Sequence, residues 1–152
     1  YDNGKGDPSD EPPHVARAKK AALQGNTRDQ IFLANMYMDG QVINRNYAEA
    51  LKYFQLAAPS GDSRVHAGLA YLYEHGLGVE KDDVKAATFY RLAARQGVAT
   101  SQFKLGIMYQ QGRGVTQSNS EALNWYKLAA EQGYLKAQHL LARYYRTGEV
   151  AP

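Results

Sequence analysis

The chain contains no cysteine among its 152 residues, which excludes disulfides, thiolate metal sites and thiol nucleophiles. Valine and isoleucine are sparse, and a shortage of β-branched residues argues against a large sheet. No apolar run approaches the length of a membrane span. The net charge is only +3, and the dense lysine and arginine clusters of a nucleic-acid binder are missing. The absences favour a helical domain with no nucleic-acid partner and no membrane span.

A 36-residue period runs through the chain, and three positions carry it most clearly. They are a leucine (Leu33, Leu69, Leu105 and Leu141), a tyrosine (Tyr37, Tyr73, Tyr109 and Tyr145) and a glycine (Gly40, Gly76, Gly112 and Gly148). Chance does not hold so many positions in one register. A period of this length is typical of arrays built from one repeated supersecondary unit.

Each unit is predicted to contain two antiparallel helices. The repeated leucine and tyrosine are four residues apart and share one helix face, and the glycine follows where helices commonly end. The predicted first helices are Thr27–Asp39, Ser63–His75, Ala99–Gln111 and Leu135–Thr147. The predicted second helices are Tyr47–Ala58, Asp82–Gln96 and Ser118–Gln132, with Asp82 and Ser118 as N-caps. One pair cannot bury its apolar face alone, so the pairs must stack into an all-α solenoid.

The two ends of the chain also fit the period. Ala21-Ala22 lies one period before Ala57-Ala58, so a lone second helix is expected to cap the N-terminus. Tyr1–Pro13 carries four acidic residues against one lysine and is predicted to be a disordered acidic leader. A single solenoid is predicted over residues 14–148. It comprises a half-repeat (14–25), three repeats (26–62, 63–98 and 99–134) and a partial repeat (135–148).

The unit resembles the Sel1-like repeat, a relative of the tetratricopeptide repeat. The stretch from Leu105 to Val115, LGIMYQQGRGV, and the stretch from Ala122 to Gly133, ALNWYKLAAEQG, carry the resemblance. The first unit departs from it, because Gly40-Gln41-Val42-Ile43 lacks the second glycine and its loop is expected to differ. The resemblance implies a right-handed α-solenoid and a scaffold, adaptor or regulator, often bacterial and exported. A periplasmic or otherwise exported location is therefore an expectation.

No catalytic or metal-binding motif is apparent. The four histidines belong to no HExxH motif and no Ser–His–Asp set. His66 shares its register with Gln30, Gln102 and Gln138, which indicates a scaffold position. Gly76-Leu77-Gly78 and its counterpart one period later superficially resemble phosphate loops, but their recurrence marks them as turns between helices. We predict no catalytic residue, no metal and no cofactor.

The candidate binding residues are the varying positions of the first helices. In a solenoid, repeating positions build the scaffold and varying positions are free to bind a partner. Alignment with the tetratricopeptide unit puts these positions on the concave side. An aromatic centre with a rim of arginines is the composition of a protein-binding hot spot, although Phe103 and Ile107 could instead pack on the next repeat. The candidates are Asn35, Tyr71, Glu74, His75, Phe103, Ile107, Gln110, Lys136, His139, Arg143 and Arg146.

Three functions are compatible with this reading. The leading one is a non-enzymatic module whose concave groove binds a partner protein with an apolar docking surface and an acidic rim. The resemblance implies that such a module could be an immunity protein against a bacterial lipase effector, or a regulator of an exported enzyme. A second function is a structural scaffold of a bacterial envelope complex. A third is an enzyme acting on cell-wall or β-lactam substrates, but the family subgroup linked to β-lactams carries a cysteine pair that this chain lacks.

Overall fold

The computed structural model describes residues 11–149. Over this part of the chain, eight α-helices and one short 3₁₀ turn (Ala58–Ser60) account for the regular structure, without a strand. The helices are α1 (Pro13–Leu23), α2 (Thr27–Asp39), α3 (Tyr47–Ala57), α4 (Ser63–His75), α5 (Asp83–Arg95), α6 (Ala99–Gln111), α7 (Asn119–Glu131) and α8 (Leu135–Thr147). The first helix of every unit has its predicted bounds. The predicted all-α class is confirmed.

The second helices begin at polar caps that recur with the period. The Asp82 carboxylate accepts from the Lys85 backbone N–H at 3.0 Å, and the Ser118 hydroxyl accepts from that of Glu121 at 3.2 Å. Asn46 does the same one period earlier, at the start of α3. Each cap satisfies a backbone donor that has no partner within the helix, a contribution of about 1 kcal/mol. The two predicted N-caps are therefore confirmed.

The loop of the first unit differs from its two successors, as expected. In the successors, Leu77 donates its N–H to the Leu72 carbonyl and Arg113 donates to the Met108 carbonyl, which completes a Schellman ending. Their second glycine, Gly114 in the later loop, has φ +68°, and a Cβ there would lie 2.0 Å from the Asp83 carbonyl oxygen. Val42 occupies this register in the first unit, and no described residue other than glycine has positive φ. That loop therefore takes another path.

The described chain divides into two compact parts, which we call the N-terminal half (up to Lys81) and the C-terminal half (from Asp82 onward). In each half, helices that follow one another in the chain pack together. The repeated leucines are buried as predicted, with exposed fractions of 0% for Leu33, 1% for Leu69, 0% for Leu105 and 8% for Leu141. The prediction that residues 14–148 form a single domain stays a prediction.

In the N-terminal half, α1 is anchored by a group of aromatic and charged side chains. Lys19 forms an ion pair with Glu11 and lies 5.9 Å from the ring centroid of Tyr37. Tyr37 is stacked on Tyr53 of α3, with ring centroids 6.0 Å apart. Glu11 belongs to the predicted leader, of which residues 1–10 lie outside the described residues. The end of that leader contacts α1 rather than being independent of it.

In the C-terminal half, Tyr126 forms the centre of the core. Its side chain is fully buried, and its hydroxyl donates to Oε1 of Gln110 at 2.6 Å. Burial raises the pKa of this phenol far above its usual range. Tyr145, which was expected to occupy a repeating core position, is 67% exposed. That expectation is wrong for Tyr145, because the part of the chain that the structure describes has no later helix to cover it.

A repeated glutamine links three of the four first helices to the preceding second helix. The side-chain amides of Gln30, Gln102 and Gln138 donate to the carbonyls of Ala22, Ala94 and Ala130, at 2.9, 3.1 and 3.0 Å respectively. In each case the acceptor lies eight residues earlier in the chain. His66 occupies the same register in α4 and is buried, and this burial lowers the pKa of its imidazole. The scaffold role predicted for this register is confirmed at the glutamines.

Candidate functional site

The charged candidates of the last helix share one face. Lys136, His139, Arg143 and Arg146 follow one another along α8 at intervals of three or four residues, and all four are exposed. At about 100° per residue, this spacing confines them to an arc of about 80°. Lys136 and Arg146 lie about 15 Å apart along the helix axis. We call these four residues the α8 cationic row.

A depression of about 400 Å³ lies beside this row in the C-terminal half. It brings together five of the residues predicted from the sequence and adds one that was missed. The lining residues are Phe103, Lys136, His139, Leu140, Arg143 and Arg146. The sequence did not indicate Leu140, because the adjacent Leu141 is the position that carries the repeat. The signal that could have found it is its register, which holds Phe32, Gly68 and Lys104 in the earlier units and so varies as binding positions do.

The apolar side of the depression is rigid. Phe103 is only 8% exposed, and its ring centroid lies 5.5 Å from that of Tyr126 and 5.1 Å from that of Tyr134. Ile107, one turn further along α6, is half-buried against the same cluster. Phe103 was a candidate for the exposed aromatic centre, with packing on the next repeat as the alternative, and the structure shows the ring packed, because two tyrosines cover it. Its remaining edge contributes to the wall of the depression.

The charge of the row is uncompensated. Within residues 11–149, no carboxylate lies within 4 Å of the charged groups of Lys136, Arg143 or Arg146. Unpaired cations at the rim of a depression produce a positive potential that attracts carboxylates or other anions. The depression thus combines a small apolar wall with a positive rim.

Two polar candidates are not displayed on the surface. Gln110 is 8% exposed and accepts the hydrogen bond from Tyr126. Glu74 is 4% exposed, and its Oε1 lies 3.0 Å from Nε2 of His75. Both occupy the same register of their helices, so the sequence-based concave set included a register that is buried in the middle of the chain. Their side chains serve packing and hydrogen bonding.

The remaining candidates lie in the N-terminal half. Asn35 is exposed on α2, and Tyr71 is 43% exposed on α4. The Tyr71 ring centroid is 4.4 Å from that of His75, one helical turn later. Among the residues described, no group of three or more potential metal ligands is found, and no helix has the length and apolarity needed to cross a membrane.

Helix pairs in a 36-residue register, with a conserved scaffold and a variable exposed face, define the class of tetratricopeptide-like solenoid proteins. The Sel1 repeat model matches residues 28–62, 63–98, 99–134 and 135–152, so the chain belongs to the Sel1 repeat family. Three of these matches begin at the predicted repeat boundaries. Among curated proteins, none matches the chain significantly.

Solved structures agree with this assignment. A protective antigen present in uropathogenic Escherichia coli strains, which displays an SLR fold, is 33% identical with a TM-score of 0.85 over 90% of this chain. The chain spans only 29% of that protein. A Sel1 repeat protein from Oxalobacter formigenes is also 33% identical, with a TM-score of 0.75, and the match covers 87% of this chain and 99% of that one. Helicobacter pylori cysteine rich protein B, at 21% identity and a TM-score of 0.65, covering 83% of this chain and 93% of that one, shares the fold. Sel1 repeat proteins are generally non-enzymatic interaction scaffolds.

Proposed function

We propose that this chain is a non-enzymatic binding module that holds a partner protein against the α6–α8 face. The observation that carries the proposal is the α8 cationic row, which lacks carboxylate partners within residues 11–149 and borders the depression walled by Phe103 and Leu140. A surface of this kind complements an apolar centre with an acidic rim. The partner is therefore a protein with that docking surface.

The physical chemistry of the face supports binding. Its charged side chains project from helices rather than from a loop, so little backbone entropy is lost when a partner docks. The apolar wall supplies area to desolvate, and the cations guide the encounter with an acidic surface. A nucleic-acid ligand fits less well, because three cationic side chains and a histidine on one helix are few for phosphate-dominated binding.

For the partner we propose a class of protein rather than one protein. In an immunity role against a bacterial lipase effector, or in the regulation of an exported enzyme, the module would cover an acidic surface of its target. A periplasmic or otherwise exported location is part of the same proposal. A scaffold of an envelope complex is the alternative, and it would use the same face for a permanent rather than an inhibitory contact.

Site-specific photo-crosslinking tests the proposal. A photoreactive amino acid replaces Arg143 on the proposed face or, as a control, Lys127, which is exposed on α7. Both proteins are irradiated in extract of the native host, and crosslinked partners are identified by mass spectrometry. We expect one partner with an acidic surface to be captured from position 143 in a salt-sensitive manner. Capture of the same partner from position 127 alone would place the binding site elsewhere.

A further inference from the structure

The spacing of the α8 cationic row limits the shape of what can bind to it. Along the helix axis, the intervals from Lys136 to His139, to Arg143 and to Arg146 are about 4.5, 6 and 4.5 Å. Residues on one side of an extended strand are about 6.7 Å apart, so a strand can place at most three acidic residues along the 15 Å row. A second helix with acidic residues every three or four positions has the same intervals as the row.

The size of the depression points the same way. A helix with its side chains is about 10 Å across, so a depression of about 400 Å³ cannot enclose one. It can receive the apolar side chains that such a helix projects beside its acidic row. Phe103 and Leu140 lie where those side chains would enter. The partner helix would lie over the depression, along α8.

From these two observations we infer that the occupant of the α6–α8 face is an acidic amphipathic helix of the partner protein. Its acidic residues recur at intervals of three or four and face the α8 cationic row, and adjacent apolar residues insert against Phe103 and Leu140. Amphipathic helices that lay their apolar side into a groove are a recurring mode of recognition. This inference rests on the proposed function and adds the form of the partner segment.

Synthetic peptides test the inference directly. A labelled, alanine-rich peptide of about 18 residues, or five turns, carries four glutamates in a row at these intervals, with leucines beside them. A second peptide has the same composition with the glutamates scattered around the helix. A third has the first pattern interrupted by a central proline, which breaks the helix. Binding to the full chain is followed by fluorescence anisotropy.

Paired protein variants locate the bound peptide. Lys136→Gln with Arg143→Gln removes two cations from the α8 cationic row, and both side chains are exposed. Arg95→Gln with Lys127→Gln removes the same charge from exposed positions on α5 and α7. Circular dichroism confirms that both variants remain folded. We expect the patterned peptide to bind at least about tenfold more tightly than the other two, and to lose about tenfold in affinity only in the first variant.

The possible outcomes separate the inference from the proposed function. If all three peptides bind equally and Lys136→Gln with Arg143→Gln still weakens them, the face binds acidic chains of any form and the helix inference is overturned. Equal binding of every peptide to both variants would overturn the site as well. If no peptide binds, the helix inference is overturned, and crosslinking from position 143 decides the proposed function independently.

Discussion

The ring of Phe54 on α3 lies directly against the backbone of Gly68 on α4. A Cβ at Gly68 would be 2.4 Å from Cζ of Phe54, and Phe54 is only 1% exposed, so the ring has no room to withdraw. Gly106 and Tyr126 have the same relationship in the C-terminal half, where a Cβ at Gly106 would be 2.6 Å from Cε1 of Tyr126. Close approach of consecutive helices therefore depends on a glycine placed under an aromatic ring.

Gly68→Ala should destabilise the protein despite the better helix propensity of alanine. The gain in propensity is about 1 kcal/mol, whereas overpacking a filled core costs about 1–3 kcal/mol, so we expect a net loss of up to about 2 kcal/mol. Urea denaturation measures it. In a Phe54→Leu background the loss should largely disappear, and a loss of equal size there would show that the clash is not with Phe54.

Gln102→Ala should cost about 0.5–1.5 kcal/mol, because it breaks a buried hydrogen bond to the Ala94 carbonyl, which then keeps only a backbone donor. It also removes the acceptor of the Gln132 side chain. Gln138→Ala is the matched control, since it breaks the same bond to Ala130 at an exposed position where water can replace it. Its cost should stay below about 0.5 kcal/mol. Equal effects of the two substitutions in thermal denaturation would contradict this account of the register.

The stability of the protein should fall in mild acid through His66. Burial depresses the pKa of this imidazole below the reference value of 6.5, and the nearby Asp62 opposes the shift only in part. The unfolded chain therefore binds more protons than the native one, so this contribution is complete above pH 6.5 and is lost as the pH falls toward the folded-state pKa. His66→Gln, which installs the residue of the other three units, should flatten that decline.

The measurement is the free energy of unfolding between about pH 8 and pH 5. His14, His75 and His139 are present in both proteins, so the difference between the two curves isolates His66. Curves that stay parallel over the whole range would show that the imidazole of His66 titrates alike in the folded and unfolded states.

Leu105→Ala should lower the free energy of unfolding by about 2–5 kcal/mol, because it leaves a cavity at a site with 0% exposure. Leu141→Ala is the comparison, since Leu141 occupies the same register and is 8% exposed. The second loss should be smaller, because neighbours at a less enclosed site can relax into the space. Equal and negligible changes in urea denaturation would mean that this register is not the core.

The repeat allowed most of the fold to be predicted from the sequence. The period places each leucine, each glycine and each helix end in an equivalent environment, so evidence from four copies adds up. Positions where the copies differ gave no such support. For Phe103 an exposed and a packed position both stayed open, and the structure shows that Tyr126 and Tyr134 cover it. Its burial depends on aromatic residues 23 and 31 positions further along the chain, and no local pattern encodes that contact.

The candidate site was predicted only in part, for a geometric reason. The positions assigned to the concave side of the first helices span more than one face, so buried and exposed registers were combined. Glu74 is buried while its neighbour His75 is exposed, and a difference of one residue on a helix is a rotation of about 100°. Which of two adjacent residues is buried depends on the helices that pack against this one, and the sequence of a single helix does not show where they lie.

The central claim is that the α8 cationic row binds the acidic surface of a partner protein. The most direct test is biolayer interferometry with the partner captured by crosslinking, comparing Arg143→Glu with Arg146→Glu against Lys127→Glu. At low salt, the double reversal on α8 should slow association at least about tenfold, with the difference shrinking as salt is added, and Lys127→Glu should change it little. If Lys127→Glu impairs association while the α8 reversal leaves it unchanged, the site assignment is contradicted.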